Sequence, residues 1–415
     1  MFDSCPAYQD FRPEVLFLSH CVPNPPDKGE KIRAFHEVAF LAERCRLHLA
    51  CLARSEPEMR DAEALAAQCA SVYVERLAPR AALARAAMRF ARGGCLNRAY
   101  FSSRRLREHV AGLAGSVRLE ATVVYTAVMS PYAPAGVPIL LDMVDVDSEK
   151  WFQYSRTRRP GCLYAMEARR LRRFEEQCAR AAQFTVLTTE NDADLLKRIA
   201  RGAAIGHMEN GVDGEFFDGH ARPMPIGLRG RPFVTFVGTM DYHPNAQGAA
   251  WFAGRVFPEL RRRVPDLEFF IVGRNVSAAV VRLERHKGVR VVGAVPDVRP
   301  YLAGARAIVA PLETARGIQN KVLEGLAMGR PVFASEAVCR TFGSSLPRGV
   351  VRCESERDYV EALEPACRIE PRCDEAIRRA ACSRFSWKSN LDRLASGQEC
   401  LNRQPAGAAA GQRTA

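Results

Sequence analysis

The residues best suited to chemistry lie between Ala315 and Ser335, in the run ARGIQNKVLEGLAMGRPVFAS. Gly317 supplies a flexible turn, and the stretch from Gln319 to Met328 reads as a helix that starts at or near Asn320. The first N–H groups of such a helix lack intrahelical partners and carry the positive end of its dipole, a ready seat for phosphate. Lys321 adds a full positive charge in that first turn, where the dipole opposes it and an anion would compensate. Glu324, further along the same helix, can accept hydrogen bonds from a vicinal diol such as that of a ribose. These residue types at this spacing suit a nucleoside diphosphate; a plain amphipathic helix with a solvated Lys and Glu is the competing reading.

A second cationic loop follows the first apolar run. In PPDKGEKIR, residues 25–33, Lys28, Gly29, Lys31 and Arg33 sit where an anion could be held, or where a charged helix simply meets water. His20, just after the same run, is the histidine best placed to touch a substrate, although a loop histidine with its bonds satisfied fits equally well. Further on, Asp145-Val146-Asp147 has the D-x-D form of a metal-binding pair. A tripeptide of that kind is frequent by chance, so contact with a substrate rather than a metal is expected of Asp145 or Asp147, with helix capping by Asp147 or Ser148 as the plainer alternative. The 14 cysteines never fall at C-x-x-C spacing, so they are expected to be buried small apolar groups, with no metal bound.

Positioning these residues requires alternating strands and helices. Short apolar runs at 15–19, 47–52, 72–74, 122–125, 139–142 and 184–187 read as buried parallel strands, with helical patterns at 30–44, 163–182 and 190–201 between them. The pattern restarts at 233–238, 268–273, 289–293, 307–310 and 331–334. Strand–helix alternation of this kind makes parallel sheets covered on both faces, so the expectation is an α/β chain of two Rossmann-like, doubly wound domains. The boundary is placed in the Gly/Asp/Pro-rich segment 206–225, giving domains at 1–205 and 206–385. A helix follows at 386–403, expected to pack back toward the first domain, and then a disordered Ala/Gly/Gln tail at 404–415. Open parallel sheets bind ligands at the carboxyl ends of their strands, which is where the candidate residues cluster.

The composition agrees with a folded protein: 415 residues, 47% apolar and 26% charged. No uninterrupted apolar run approaches the roughly 18 residues of a membrane span. The N-terminus, MFDSCPAYQDFRPEVLFLSH, has acids and prolines where a signal peptide needs basic residues and an apolar core, so a cytoplasmic location is expected. The net charge of +13 favours anionic partners without choosing among them.

The run Glu324-Gly325-Leu326-Ala327-Met328-Gly329-Arg330-Pro331-Val332 resembles the donor-site signature of GT-B glycosyltransferases of the family 4 type. The resemblance implies a retaining transfer from a nucleotide-sugar. Under it, Lys321, Arg274 and the N–H groups from Gly317 to Asn320 hold the diphosphate and Glu324 holds the ribose. Relatives often carry a second glutamate, in contact with the sugar, where this chain has Arg316. The segment Gly238-Thr239-Met240-Asp241-Tyr242-His243-Pro244-Asn245 resembles the first strand-turn-helix of the donor domain, without the Arg and Lys that many relatives place there. The loop from Val295 to Leu302 resembles the nucleobase pocket, and Asn210-Gly211-Val212-Asp213 resembles an element near the hinge, although Asn-Gly also favours a plain tight turn. The segment 25–33 is similar to that of sugar transferases associated with the PEP-CTERM/exosortase exopolysaccharide system. With it, Lys28, Gly29, Lys31, Arg33, His20, Asp145 and Asp147 fall to the acceptor side, and no metal is required.

Residues 79–107 hold eight arginines and no acid, with Leu83, Ala87, Met88 and Phe90 interleaved. Such a patch suits anionic headgroups, and so a peripheral enzyme at the inner face of the cytoplasmic membrane acting on a lipid-linked or oligosaccharide acceptor. A solvated helix face is the alternative. A nucleotide-sugar 2-epimerase would share the fold and would make product with no acceptor present. A nucleic-acid-binding protein would need more aromatic residues among the arginines than Phe90, Tyr100 and Phe101, so no nucleic-acid partner is expected. A NAD-dependent dehydrogenase is disfavoured because no strand is followed by G-x-G-x-x-G.

Overall fold

The computed structural model describes residues 12–220, 222, 230–315 and 317–395. Their internal contacts divide them into two units. The first holds the residues up to Leu187, Asp192–Met208 and those from Lys388 on; the second holds Thr188–Asn191 and Glu209–Trp387.

The first unit is built on a parallel sheet of β1 (Glu14–Ser19), β2 (Arg46–Ala53), β3 (Ser71–Arg76), β4 (Ala121–Tyr125), β5 (Ile139–Val144), β6 (Phe184–Leu187) and β7 (Ile205–His207), in the order β3-β2-β1-β4-β5-β6-β7. The apolar run of β1 serves both faces. Leu16 and Leu18 enter one core cluster, while Val15 and Phe17 enter the other, as the two-residue side-chain period of a strand requires. The helix Trp387–Ala395 sends Leu391 and Leu394 to an apolar cavity shared with Phe40, Leu41, Val123 and Leu140.

The second unit is a parallel sheet of β8 (Phe233–Val237), β9 (Glu268–Val272), β10 (Val289–Gly293), β11 (Ala307–Ala310), β12 (Val332–Ser335) and β13 (Val350–Cys353), in the order β10-β9-β8-β11-β12-β13. One core cluster fills it, rich in phenylalanine; the Phe233 and Phe270 rings stack with centroids 4.3 Å apart. The edge strands β7 (IGH) and β13 (VVRC) are absent from the sequence reading because, half-exposed at the sheet edges, they lack the wholly apolar run that marks the inner strands. Of the expected C-terminal elements, residues 396–403 and the 404–415 tail lie outside the described residues. Among the described residues no helix is long and apolar enough to cross a membrane.

In each sheet the strand order reverses at the first strand, between β1 and β4 and between β8 and β11. Loops diverge at such a point and open a crevice at the carboxyl ends of the strands.

Candidate functional site

In the second unit three adjacent strands lead into glycines: Gly238 after β8, Gly273 after β9 and Gly293 at the end of β10. The Gly238 N–H donates to the Val272 carbonyl at 3.0 Å, and the Gly273 N–H to the Gly293 carbonyl at 2.8 Å. A Cβ on Gly273 would collide with the Gly238 carbonyl, so only glycine lets the two loops approach this closely.

The loop after β8 turns into the helix His243–Trp251, and Asn245 in its first turn is buried. Asn245 Nδ2 donates to the Thr239 carbonyl at 2.9 Å, which leaves Oδ1 to accept from Lys321 Nζ at 2.6 Å. Lys321 stands in the first turn of the helix Asn320–Ala327, and its ammonium lies 4.3 Å from the centroid of the Phe236 ring. A Cβ on Gly238 would stand 2.7 Å from Asn245 Nδ2 and 3.2 Å from Lys321 Nζ, so the ammonium sits directly beside the strand end. Only 7% of Lys321 is exposed, and burial pushes its pKa down to about 7 against the attraction of Glu324. Burial likewise pushes the Glu324 carboxyl up to about 7, against the pull of Lys321.

The glycines of the Glu324–Val332 run have separate causes. A Cβ on Gly325 would meet Ile308 Cγ1 at 2.9 Å, so this residue lets the helix lie against β11, while Gly329 has φ +64° and ends the helix in the left-handed region. The helix is preceded by Gln319, which gives it no side-chain cap; the Gln319 carbonyl accepts from the Val322 and Leu323 N–H groups at 2.9 and 3.5 Å. Asn210 reaches the same end, donating to Asn320 Oδ1 at 3.4 Å and to the Ile318 carbonyl at 3.5 Å. Gly317 is buried with φ +62°. Arg274 and Val295 stand in the loops after β9 and β10, half-buried, and the Arg274 carbonyl accepts from the Met240 N–H at 2.9 Å. The structure thus brings Lys321 to the strand end at Gly238, with Gly317 before the same helix, Asn320 and Glu324 along it, and Arg274 and Val295 on the neighbouring loops. Arg316 lies outside the described residues.

In the first unit His20 leaves β1 and donates its N–H to the Tyr125 carbonyl at the end of β4, at 3.1 Å. Its ring stacks on Tyr125 and meets Phe101 edge-on, both with centroids 5.6 Å away. Its Nε2 lies 3.6 Å from Glu30, whose carboxyl is held down to about 2, chiefly by the nearby His20 ring. Lys28 is the half-buried residue preceding the helix Gly29–Ala42, and Gly29 is exposed.

Two acceptor-side expectations are corrected. Arg33 cannot hold an external anion: it is 1% exposed, 2.5 Å from Asp142 and 3.4 Å from Glu37, and it donates to the Met208 carbonyl at 2.9 Å. Lys31 is also buried, 3.7 Å from Glu58. Both residues fall on the inner face of an amphipathic helix, a fact that the spacing of charges alone does not show.

Asp145 and Asp147 follow β5, half-buried, after a residue in the left-handed region: Val144 has φ +67°, strained for a β-branched side chain. Capping of the next helix, Asp147–Thr157, falls to neither Asp147 nor Ser148. Val146 is its N-cap residue, and Glu175, 27 residues on, accepts from the Ser148 N–H at 3.0 Å. Burial raises the Glu175 carboxyl to about 8. Among the described residues no group of three His, Cys, Asp or Glu side chains is placed to hold a metal. The buried cysteines are unreactive thiols; burial pushes Cys21 up to about 12.

Asn245, Glu30 and Glu175 are what sequence reasoning missed. Asn245 could have been found, because it stands in the same strand-turn-helix segment as Gly238. Glu175 carries no local signal.

No protein among the curated sequences matches the chain. Residues 231–364 match the family model of the glycosyl transferases group 1. Among solved structures, Anabaena HepE in complex with UDP is similar with a TM-score of 0.66 at 12% identity, covering 94% of this chain and 100% of that one. Sucrose-phosphate synthase from Thermosynechococcus elongatus has a TM-score of 0.64 at 14% identity, covering 94% and 99%. WaaG, a glycosyltransferase involved in lipopolysaccharide biosynthesis, has a TM-score of 0.55 at 13% identity, covering 92% and 95%. The segment 231–364, which carries Gly238, Asn245 and Lys321, is thus similar to the glycosyl transferases group 1, in a chain with the two-sheet GT-B fold.

Proposed function

We propose that this chain moves a sugar from a nucleotide-sugar to a glycan acceptor, and that Lys321 is the residue around which the donor diphosphate is held. The observation that carries the reading is a desolvated ammonium beside a strand-end glycine, next to a helix start with no side-chain cap. A buried lysine at depressed pKa is costly unless an anion arrives to restore its charge. Arg274 and the N–H groups from Gly317 to Asn320 complete the diphosphate site, Glu324 takes the ribose, and Val295 borders the base. Lys28, Gly29, Asp145, Asp147 and His20 belong to the acceptor side. HepE has been solved with UDP-glucose, which supports a hexose on UDP as the first donor to test.

Transfer proceeds with retention: the leaving diphosphate assists the acceptor hydroxyl on the same face of the sugar. The protein then supplies positioning and stabilises the charge that develops on the diphosphate. Lys321 does this best, because its ammonium is already oriented by Asn245 and shielded from water. No metal is needed, so a chelator leaves the rate unchanged. The physiological acceptor is lipid-linked, within exopolysaccharide assembly in the cytoplasm.

Calorimetry with UDP, GDP and ADP, followed by transfer assays with the corresponding sugars, tests the reading. Lys321→Ala and Glu324→Ala each abolish transfer, and Lys321→Ala weakens nucleotide binding at least tenfold, while both remain folded. Full activity in both variants would remove the site assignment.

A further inference from the structure

The helix Pro79–Ala91 turns the wrong face outward for a protein that meets only water. Its buried side consists of Ala82 and Ala86, 1% and 0% exposed. Its outer side presents Ala81, Leu83, Ala84, Ala87, Met88 and Ala91, all exposed, with Leu83 at 57% and Met88 at 51%. Ala84, Ala87 and Ala91 recur at the i, i+3, i+7 spacing of one helix face, Arg80 stands one turn before Ala84 at its N-terminal end, and Leu83 and Met88 flank the alanines.

Around this apolar strip the charge has one sign. Arg80, Arg89 and Arg92 are exposed, no acid occurs anywhere in 79–107, and these three arginines make no ion pair among the described residues. Other arginines of the segment are used internally: Arg85 donates to the carbonyls of Ala99 and Tyr100, both at 3.4 Å, and Arg98 lies 5.3 Å from the Phe174 ring centroid. Arg80 also stands in a first turn that has no acid and no side-chain cap, where both its charge and the helix dipole call for an anion.

The helix is fixed to the body from beneath. Arg170 donates to the carbonyls of Phe90 at 2.8 Å and Gly94 at 3.0 Å, and its guanidinium lies 4.6 Å from the Phe90 ring centroid. The apolar strip is therefore a rigid surface feature rather than a frayed end.

We infer that the outer face of the helix Pro79–Ala91 seats on an anionic lipid bilayer, with Leu83 and Met88 entering the acyl boundary and Arg80, Arg89 and Arg92 meeting the headgroup phosphates. The occupant follows from complementarity. A bilayer surface offers phosphates at the level of the arginine rim and hydrocarbon just beneath, whereas an acidic polypeptide would match the rim and leave the central strip facing polar groups. The inference stands apart from sugar transfer, because it concerns a surface that carries none of the donor residues.

Flotation of the full chain with vesicles, with no nucleotide added, is the test. The chain floats with vesicles containing phosphatidylglycerol and not with phosphatidylcholine alone, and added salt releases it. Each of Arg80→Ala, Arg89→Ala and Arg92→Ala lowers partitioning about five-fold. Leu83→Gln/Met88→Gln lowers it about tenfold or more, with melting temperature and UDP binding unchanged because both side chains are exposed. Equal partitioning to neutral vesicles, or flotation indifferent to the Leu83/Met88 double variant, overturns the inference. So does a wild-type dimer in sedimentation that the double variant dissociates, which would give this face to a second copy of the chain.

Discussion

Lys321 and Glu324 share one desolvated environment, and their protonation pulls in opposite directions. Lys321 must be charged to hold a diphosphate, a condition met below its pKa of about 7. Glu324 must be ionised to accept from a ribose, a condition met above its own pKa of about 7. UDP affinity therefore peaks near pH 7 and falls on both sides, as calorimetry across that range will show. Glu324→Gln removes the acid limb and keeps the alkaline one. Asn245→Asp places a carboxylate against Nζ in place of the amide oxygen now 2.6 Å away, which favours the charged lysine and moves the alkaline limb to higher pH. The same variant binds UDP more weakly, because its carboxylate competes with the ligand for the ammonium. A flat profile would mean that neither group contacts the nucleotide.

At the scale of elements, the strand ends decide the geometry. The close approach of Gly273 to the Gly238 carbonyl leaves no room for a methyl group. Gly273→Ala should thus cost about 3 kcal/mol or more, by the overpacking and backbone shift it forces. Gly115 is the control: it lies in the helix Arg104–Ser116 with nothing within 4 Å of the place a methyl group would take, so Gly115→Ala should stabilise by up to about 1 kcal/mol. Urea titration of both variants checks the pair of signs. The sequence reading ended strand runs at Gly238 and Gly273, but it could not say that another chain segment crowds them. Edge strands β7 and β13 escaped it because a half-exposed edge mixes polar residues into the run that marks a buried strand.

For the whole molecule, two units with separate cores should unfold as two calorimetric transitions. Only the unit with Lys321 gains from nucleotide: UDP at a hundredfold excess over its Kd raises that transition by about 2.7 kcal/mol and leaves the other in place. Arg33→Met acts on the other one. It leaves Asp142 and Glu37 buried together without their cation, at a cost of about 3–5 kcal/mol, and UDP affinity stays unchanged. Loss of nucleotide binding in this variant would contradict a purely structural role for Arg33.

Some of this was written in local pattern. Apolar runs with a helix after each specify two parallel sheets, and Gly317, Lys321 and Glu324 mark the strand-end anion site proposed above, because a helix start and its charges are set by neighbouring residues. Other features depend on which segments meet in space. That Lys321 is held by Asn245, that Arg33 closes on Asp142 instead of facing solvent, and that Glu175 caps a helix beginning 28 residues earlier are contacts across 76, 109 and 27 residues. Burial decides each of them: it converts a charge that could lie anywhere on a surface into one that must find its single partner, and burial belongs to the packed molecule.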